Sequence, residues 1–219
     1  MNGFSSPRLI RVLVCAVVLA ALGFVFLGIL GRQKEAGHRA ATVRNLQQWG
    51  IALNLYMIEN GNELPEVGKM PLDPAQAKAW FNALPPYLSE KPLAEIPPGE
   101  RPRPGVPSLW IRPGTKPVRV WDPEAYFFSY GMNRNLQPDD GNRSFRINEI
   151  PFPGNVVFLA PTEGYSSDAT PENVVFPKKR PAHILFCDGH VQTVSRAKLL
   201  DPASLPAAAA EKEASWFQQ

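Results

Sequence analysis

The sequence predicts an α+β protein in which a long N-terminal helix packs on a small antiparallel sheet. Three observations carry this. Proline is abundant, 24 of 219 residues, yet none falls between Pro7 and Pro65. That gap is apolar all round in its first part and apolar along one stripe in its second. After Pro123, short aromatic and β-branched runs gather and end in two strand-like segments around Asp188-Gly189. Proline at roughly twice its usual share excludes an all-helical protein and a large regular parallel sheet. A length of 219 residues leaves room for one ordinary domain with an appendage.

The elements follow in chain order. Residues 1–11 are a short flank. From Val12 to Leu30 there is no charged or strongly polar side chain. At about 1.5 Å of rise per residue this run just crosses a hydrocarbon core of about 30 Å. Arg8 and Arg11 precede it, and Arg32 and Lys34 follow it. The predicted membrane anchor presents Val12, Val17, Leu22, Phe26 and Leu30 to its surroundings, with the lipid bilayer as partner. A cleaved secretory signal is the alternative. Against it, the run exceeds the usual h-region of about 7–15 residues, and no small-x-small cleavage site follows. A buried soluble helix rarely runs this long without a polar face.

Residues 31–61 continue the helix as an amphipathic segment. Ala40, Val43, Leu46, Trp49, Leu53 and Tyr56 recur at three- and four-residue steps, and Met57 extends the stripe. Arg39, Arg44, Gln47, Gln48, Asn54 and Glu59 occupy other faces. Asn60-Gly61 supplies the stop, with Pro65 just beyond. Residues 62–198 form the expected α+β globular domain. Asp73-Pro74 reads as the cap and first turn of a shorter helix whose apolar face is Ala77, Trp80, Phe81 and Leu84, ended by Pro85-Pro86. The proline-rich loop 85–123 reads as an ordered wrap, because Trp110, Ile111, Val118, Val120 and Trp121 need cover. Strands are predicted at Ala125–Gly131, at Asn155–Ala160, at Val174–Phe176 and in the hairpin His183–Cys187 with His190–Val194. The alanine-rich tail, 199–219, reads as frayed helix or disorder.

Charge and cysteine content narrow the function classes. Lys and Arg number 23 against 20 acids, and they are scattered, so nucleic acid is not an expected partner. Cys15 lies within the apolar run and Cys187 in a strand-like segment, so a disulfide between them is not expected.

Three segments resemble a known family. Val43 to Tyr56 reads Val-Arg-Asn-Leu-Gln-Gln-Trp-Gly-Ile-Ala-Leu-Asn-Leu-Tyr and is similar to the post-membrane helix of type II secretion-like pseudopilins. Ser129-Tyr130-Gly131-Met132-Asn133 resembles their Tyr-Gly-Met-Asn element. Leu185-Phe186-Cys187-Asp188-Gly189-His190-Val191 resembles the Asp-Gly-His-Val hairpin of the prepilin-type proteins abundant in Verrucomicrobia and Planctomycetes. The resemblance covers most of residues 40–195. It implies a pseudopilin-like fold and a structural, non-enzymatic role in a type II secretion or pilus-like assembly. It also implies other pseudopilin-like subunits as partners through the N-terminal helix. The basic flanks do not themselves orient the chain once Arg39 and Arg44 are counted. The family implies a single pass of the bacterial inner membrane with the globular domain outside the cytoplasm.

Two departures stand out. The family's prepilin site carries Glu at the fifth mature position, where this chain, read from Gly3-Phe4, has Arg8 after Pro7. The reversed charge predicts an uncut N-terminus and a permanent anchor. The family's His ten residues before the hairpin Asp is Lys178 here, and His183 falls elsewhere.

The chemistry-bearing residues are few. His183, Cys187, Asp188 and His190 have the donor types of a metal site, but a structural hairpin is the better reading of Phe186, Asp188, Gly189, His190 and Val191, with Gly189 at positive φ. Asp139, Asp140 and Asn142 form an acidic loop with oxygens of the kind Ca²⁺ takes, without EF-hand spacing. Acidic turns are usually just solvated, and no cofactor is expected. Gly-x-Ser-x-Gly, His-Glu-x-x-His and P-loop motifs are missing, so no enzyme is predicted. Glu163 and Asp168 are the carboxylates a hydrolase reading would use. The rival from another class is an anchored periplasmic protein binding a ligand such as a glycan around Trp110 and Trp121.

Overall fold

The computed structural model describes residues 7–69, 75–116, 128–137, 144–164, 166–170, 172–177 and 180–200. Helix α1 spans Pro7–Glu59. Its end is where the sequence places it: the Asn60 side chain donates to the Tyr56 carbonyl at 2.8 Å, and Gly61 takes the left-handed conformation at φ 64°. The chain divides into two compact units, Met1–Ala40 and Ala41–Gln219.

In the first unit, every described side chain of α1 between Leu13 and Leu30 is exposed, Phe24 at 79% and Phe26 at 61%. Glu35 pairs with Arg39 one turn on, at 3.7 Å.

The second unit holds a five-stranded, mostly antiparallel sheet in the order β3-β1-β2-β4-β5. The strands are β1 Phe128–Asn133, β2 Val157–Gly164, β3 Asp168–Ala169, β4 Ala182–Phe186 and β5 Val191–Val194. β2 pairs antiparallel with β1 and β4, and β4 with β5, while the short β3 runs parallel to β1. Residues Ala41–Glu59 of α1 pack on one face of this sheet. Leu46, Trp49, Leu53, Tyr56 and Met57 bury against a core that includes Tyr130, Met132, Leu159, Leu185 and Cys187. Each such side chain contributes about 1.5–3 kcal/mol by leaving water. The other sheet face buries Val157, Ala182, Ile184, Phe186 and Val194 in a second cluster with Ala169 and Val174. The period of two places Leu185 and Cys187 in one core and Ile184 and Phe186 in the other. An irregularity in the β2–β4 register between Val157 and Leu159 lets consecutive Phe158 and Leu159 enter the same core.

Three tryptophans make the centre of the helix-side core. Trp49 meets Trp80 edge-on at 5.7 Å and Trp110 at 5.0 Å. Their indoles find backbone partners: Trp49 Nε1 donates to the Leu109 carbonyl at 3.4 Å and Trp80 Nε1 to the Ser167 carbonyl at 3.0 Å.

Some expected elements take different form. The helix expected from Asp73 is a single turn, α2 Trp80–Ala83, with no side-chain cap; Asp73 and Pro74 lie outside the described residues. Pro85-Pro86 does not simply end it. These prolines open a 3₁₀ turn, Pro85–Leu88, where a first-turn position needs no N–H. Asn155 belongs to another 3₁₀ turn, Pro153–Asn155, so β2 begins two residues later than expected and runs on to Gly164. β1 is described only from Phe128 and extends beyond Gly131 to Asn133. Val174–Phe176 is no strand: Val174 makes one isolated bridge to Thr162. A final short helix, α3 Arg196–Leu200, follows β5. Val118, Val120, Trp121, Lys178 and the tail beyond Leu200 lie outside the described residues.

Candidate functional site

The sequence-predicted hairpin is where the second unit is locked together. β4 and β5 pair in the register Ala182–Val194 to Leu185–Val191. The Gly189 N–H donates to the Phe186 carbonyl at 2.9 Å and the Phe186 N–H to the His190 carbonyl at 2.9 Å. Gly189 at φ 88° completes a three-residue loop of the type-I-turn-plus-bulge kind. Asp188 accepts from the His190 N–H at 3.1 Å and sits 2.6 Å from its Nδ1, while the imidazole stacks on Phe186 at 4.6 Å.

Glycines let this tip close on its neighbours. A Cβ on Gly50 of α1 would stand 2.6 Å from the Gly189 carbonyl oxygen. One on Gly189 would meet Asn54 Nδ2 at 2.6 Å, and one on Gly154 would meet Asp188 Oδ2 at 2.8 Å. Gly50 therefore explains itself: a helix-interior glycine costs about 1 kcal/mol relative to alanine, and here it admits a second backbone.

Of the donor types that suggested a metal, Asp188 and His190 engage each other, while Cys187 and His183 are placed elsewhere. Cys187 is fully buried, its thiol pushed well above the usual range by burial and by the neighbouring Asp188 charge. His183 Nδ1 lies 2.9 Å from Thr193 Oγ1 on β5. Among the described residues no group of three or more His, Cys, Asp or Glu side chains is placed to hold a metal. Asp139, Asp140 and Asn142 lie outside the described residues, as does the Glu163 side chain. Asp168 is buried and held by Arg134 and Ser166, so this carboxylate braces β1 against β3. Trp110 is 5% exposed inside the aromatic core and offers no face for a sugar to stack on. Trp121 lies outside the described residues.

Among the described residues, α1 exposes an apolar stretch in each unit. In the first unit, Leu13, Val17, Leu22, Phe26 and Leu30 of the predicted anchor are all exposed; the Val12 side chain lies outside the described residues. An 18-residue window here has mean hydropathy 2.9 with none of it buried. Composition and length fit a membrane anchor or a signal, and apolar surface of this extent marks a lipid or protein contact. In the second unit, Ile51, Leu55 and Ile58 line the outer face of α1, Ile58 at 74% exposure. The sequence reading missed this stripe, although its i, i+4, i+7 spacing is legible once a second apolar face is sought. Phe152, between Pro151 and Pro153, is also half exposed and takes φ 53°, a left-handed conformation uncommon for a bulky residue.

No family model, curated protein or solved structure matches this chain. The layout itself, a long apolar N-terminal helix whose later part packs on a small antiparallel-rich sheet, is consistent with a pilin-like fold.

Proposed function

We propose that the protein is a membrane-anchored, pseudopilin-like structural subunit of a type II secretion or pilus-like assembly. It makes a single pass of the bacterial inner membrane, with its globular unit outside the cytoplasm, and is not an enzyme. The observation that carries this is the division of one helix. Residues from Leu13 to Leu30 expose apolar side chains on every face, while those from Leu46 to Met57 form the wall of a folded core. A helix of the first kind is stable in lipid or against like helices, and one of the second kind presents a domain. The order of the three segments that resemble pseudopilins supports the same reading. The glycan-binding alternative loses its first ligand platform with the burial of Trp110.

The test uses a native probe. Cys15 is exposed on the apolar helix, whereas Cys187 is buried. In membranes expressing the full chain, a thiol-specific bifunctional reagent should give homo- or hetero-oligomers that vanish in Cys15→Ser. A chain that remains with the membrane and yields only monomer argues against the structural-subunit reading.

A further inference from the structure

The two edges of the sheet end differently. On the β3 side the chain closes its own edge: Asn173 Oδ1 accepts from the Thr170 N–H at 2.8 Å, and Asn173 Nδ2 donates to the Asp168 carbonyl at 3.0 Å. On the β5 side it does not. The Phe186 N–H bonds the His190 carbonyl, and the register sets Ile184 opposite Gln192 and Ala182 opposite Val194. Hydrogen-bonded and open pairs alternate along an antiparallel ladder. His190, Gln192 and Val194 therefore bond β4, whereas Val191 and Thr193 turn their N–H and C=O groups away from it. Among the described residues neither backbone enters a further hydrogen bond.

The next element leaves this edge open. Although α3 follows β5 directly, its Leu199 packs on the sheet face that holds Val194, and its Arg196 guanidinium lies 5.9 Å from the Phe176 ring centre. Gln192 and Thr193 stay exposed. Proteins usually blunt such an edge with a lysine, a proline or a bulge. Val191–Val194 carries no charge and no proline, and its register with β4 is unbroken. Charge sits only beyond its two ends. Exposed Asp188 stands at the hairpin tip, and exposed Arg196 and Lys198 at the other end.

We propose that β5 pairs antiparallel with β5 of a second copy about a two-fold axis at Gln192, so that two globular units share one continuous sheet. The charges at the strand ends select this occupant. An antiparallel copy brings the acidic end of each strand to the basic end of the other, whereas a parallel one sets like against like. The axis at Gln192 is the register that uses both outward-facing residues of each copy. Val191 then meets Thr193 of the second copy, and Thr193 its Val191, as hydrogen-bonded pairs, while Gln192 stands opposite itself in an open pair. The same register brings Asp188 toward Arg196 of the second copy, because each lies four positions from Gln192. The pairing involves the globular unit alone and is independent of the reading of Leu13–Leu30 as an anchor. It is a short contact, so covalent trapping reads it better than affinity does.

The test uses the detergent-solubilised full chain carrying Cys15→Ser, which removes the exposed native thiol and leaves only buried Cys187. Gln192→Cys and Thr193→Cys are compared under mild oxidation. An open antiparallel pair holds its Cα atoms about 4.5 Å apart, within disulfide reach. The two copies of Thr193 would stand about 8 Å apart, beyond the limit of about 7 Å. Gln192→Cys is therefore expected to form a disulfide-linked homodimer at least about tenfold faster than Thr193→Cys. Adding Thr193→Pro to Gln192→Cys removes an outward N–H without touching the β4 ladder and should cut the dimer yield at least about fivefold. Arg196→Glu, at an exposed position, should lower the yield as well and carries the test should the proline variant fail to fold. Three results each overturn the pairing: no dimer from Gln192→Cys, equal rates from the two cysteines, or a dimer whose yield neither Thr193→Pro nor Arg196→Glu lowers in a folded chain.

Discussion

Two stretches of one helix, Leu13–Leu30 and Leu46–Met57, share a backbone conformation and almost nothing else. The first is uniformly apolar and uniformly exposed; the second alternates and buries Leu46, Trp49 and Leu53 completely. Helical geometry alone therefore says little about what stabilises a segment. The first depends on a surrounding outside the chain, the second on a sheet supplied by the chain itself.

The largest expected effect breaks the comparison on the packed side. Trp49→Ala removes the ring that meets both Trp80 and Trp110 and should destabilise the globular unit by about 3–5 kcal/mol in denaturant unfolding of the detergent-solubilised chain. Leu22→Ala on the exposed side should leave that unfolding transition in place. A charge reverses the sensitivity. Leu22→Arg should cost about 3–4 kcal/mol of membrane insertion, seen as increased alkaline extraction from membranes, with the globular transition unchanged.

The packed side should also show an alkaline limit that the apolar side lacks. Burial, and then the Glu63 and Glu66 carboxylates, push the Tyr56 phenol up to about 12. The folded state thus holds a proton that the unfolded chain releases near pH 10. Stability is intact below pH 10 and falls as pH rises toward 12, by on the order of 2 kcal/mol from this group. Buried Tyr130 and Cys187, both raised, act in the same direction. Tyr56→Phe should flatten the decline measured by chemical denaturation across that range.

Gly50→Ala sharpens the comparison within the packed helix. Alanine is the better helix former, but its Cβ meets the Gly189 carbonyl, and a net loss of about 1–2 kcal/mol is expected in denaturant midpoint. The smallest effect is expected at the outer stripe. Ile51→Gln/Leu55→Gln/Ile58→Gln should change stability by no more than about 0.5 kcal/mol per site, because these side chains are exposed on the outer face of α1. A fall in oligomer yield with Cys15 crosslinking, at unchanged stability, would make the stripe a subunit contact.

The core-facing stripe of α1 was legible because Leu46, Trp49, Leu53 and Tyr56 repeat at the helical period, and the hairpin because Asp188-Gly189 sits between two apolar runs. The run Ala77 to Leu84 misled, since an apolar face at helical spacing is satisfied equally by one α-turn followed by a 3₁₀ turn. The Ile51 stripe was overlooked beside the stronger one that Trp49 marks.

The sequence by itself determined the helix, its stop at Asn60-Gly61, its change of character after Leu30 and the hairpin, all of which depend on local spacing and turn chemistry. Only the tertiary structure decided the parallel pairing of β3 with β1, the closure of Gly50 on Gly189, the burial of Trp110 and the seating of the proline-rich loop on Asn45 through the Ser108 carbonyl. These join residues as much as 139 positions apart, as Gly50 and Gly189 are. No local pattern encodes which distant backbone a glycine admits, or which side of a proline-rich loop turns inward, because both are set by the space the assembled core leaves.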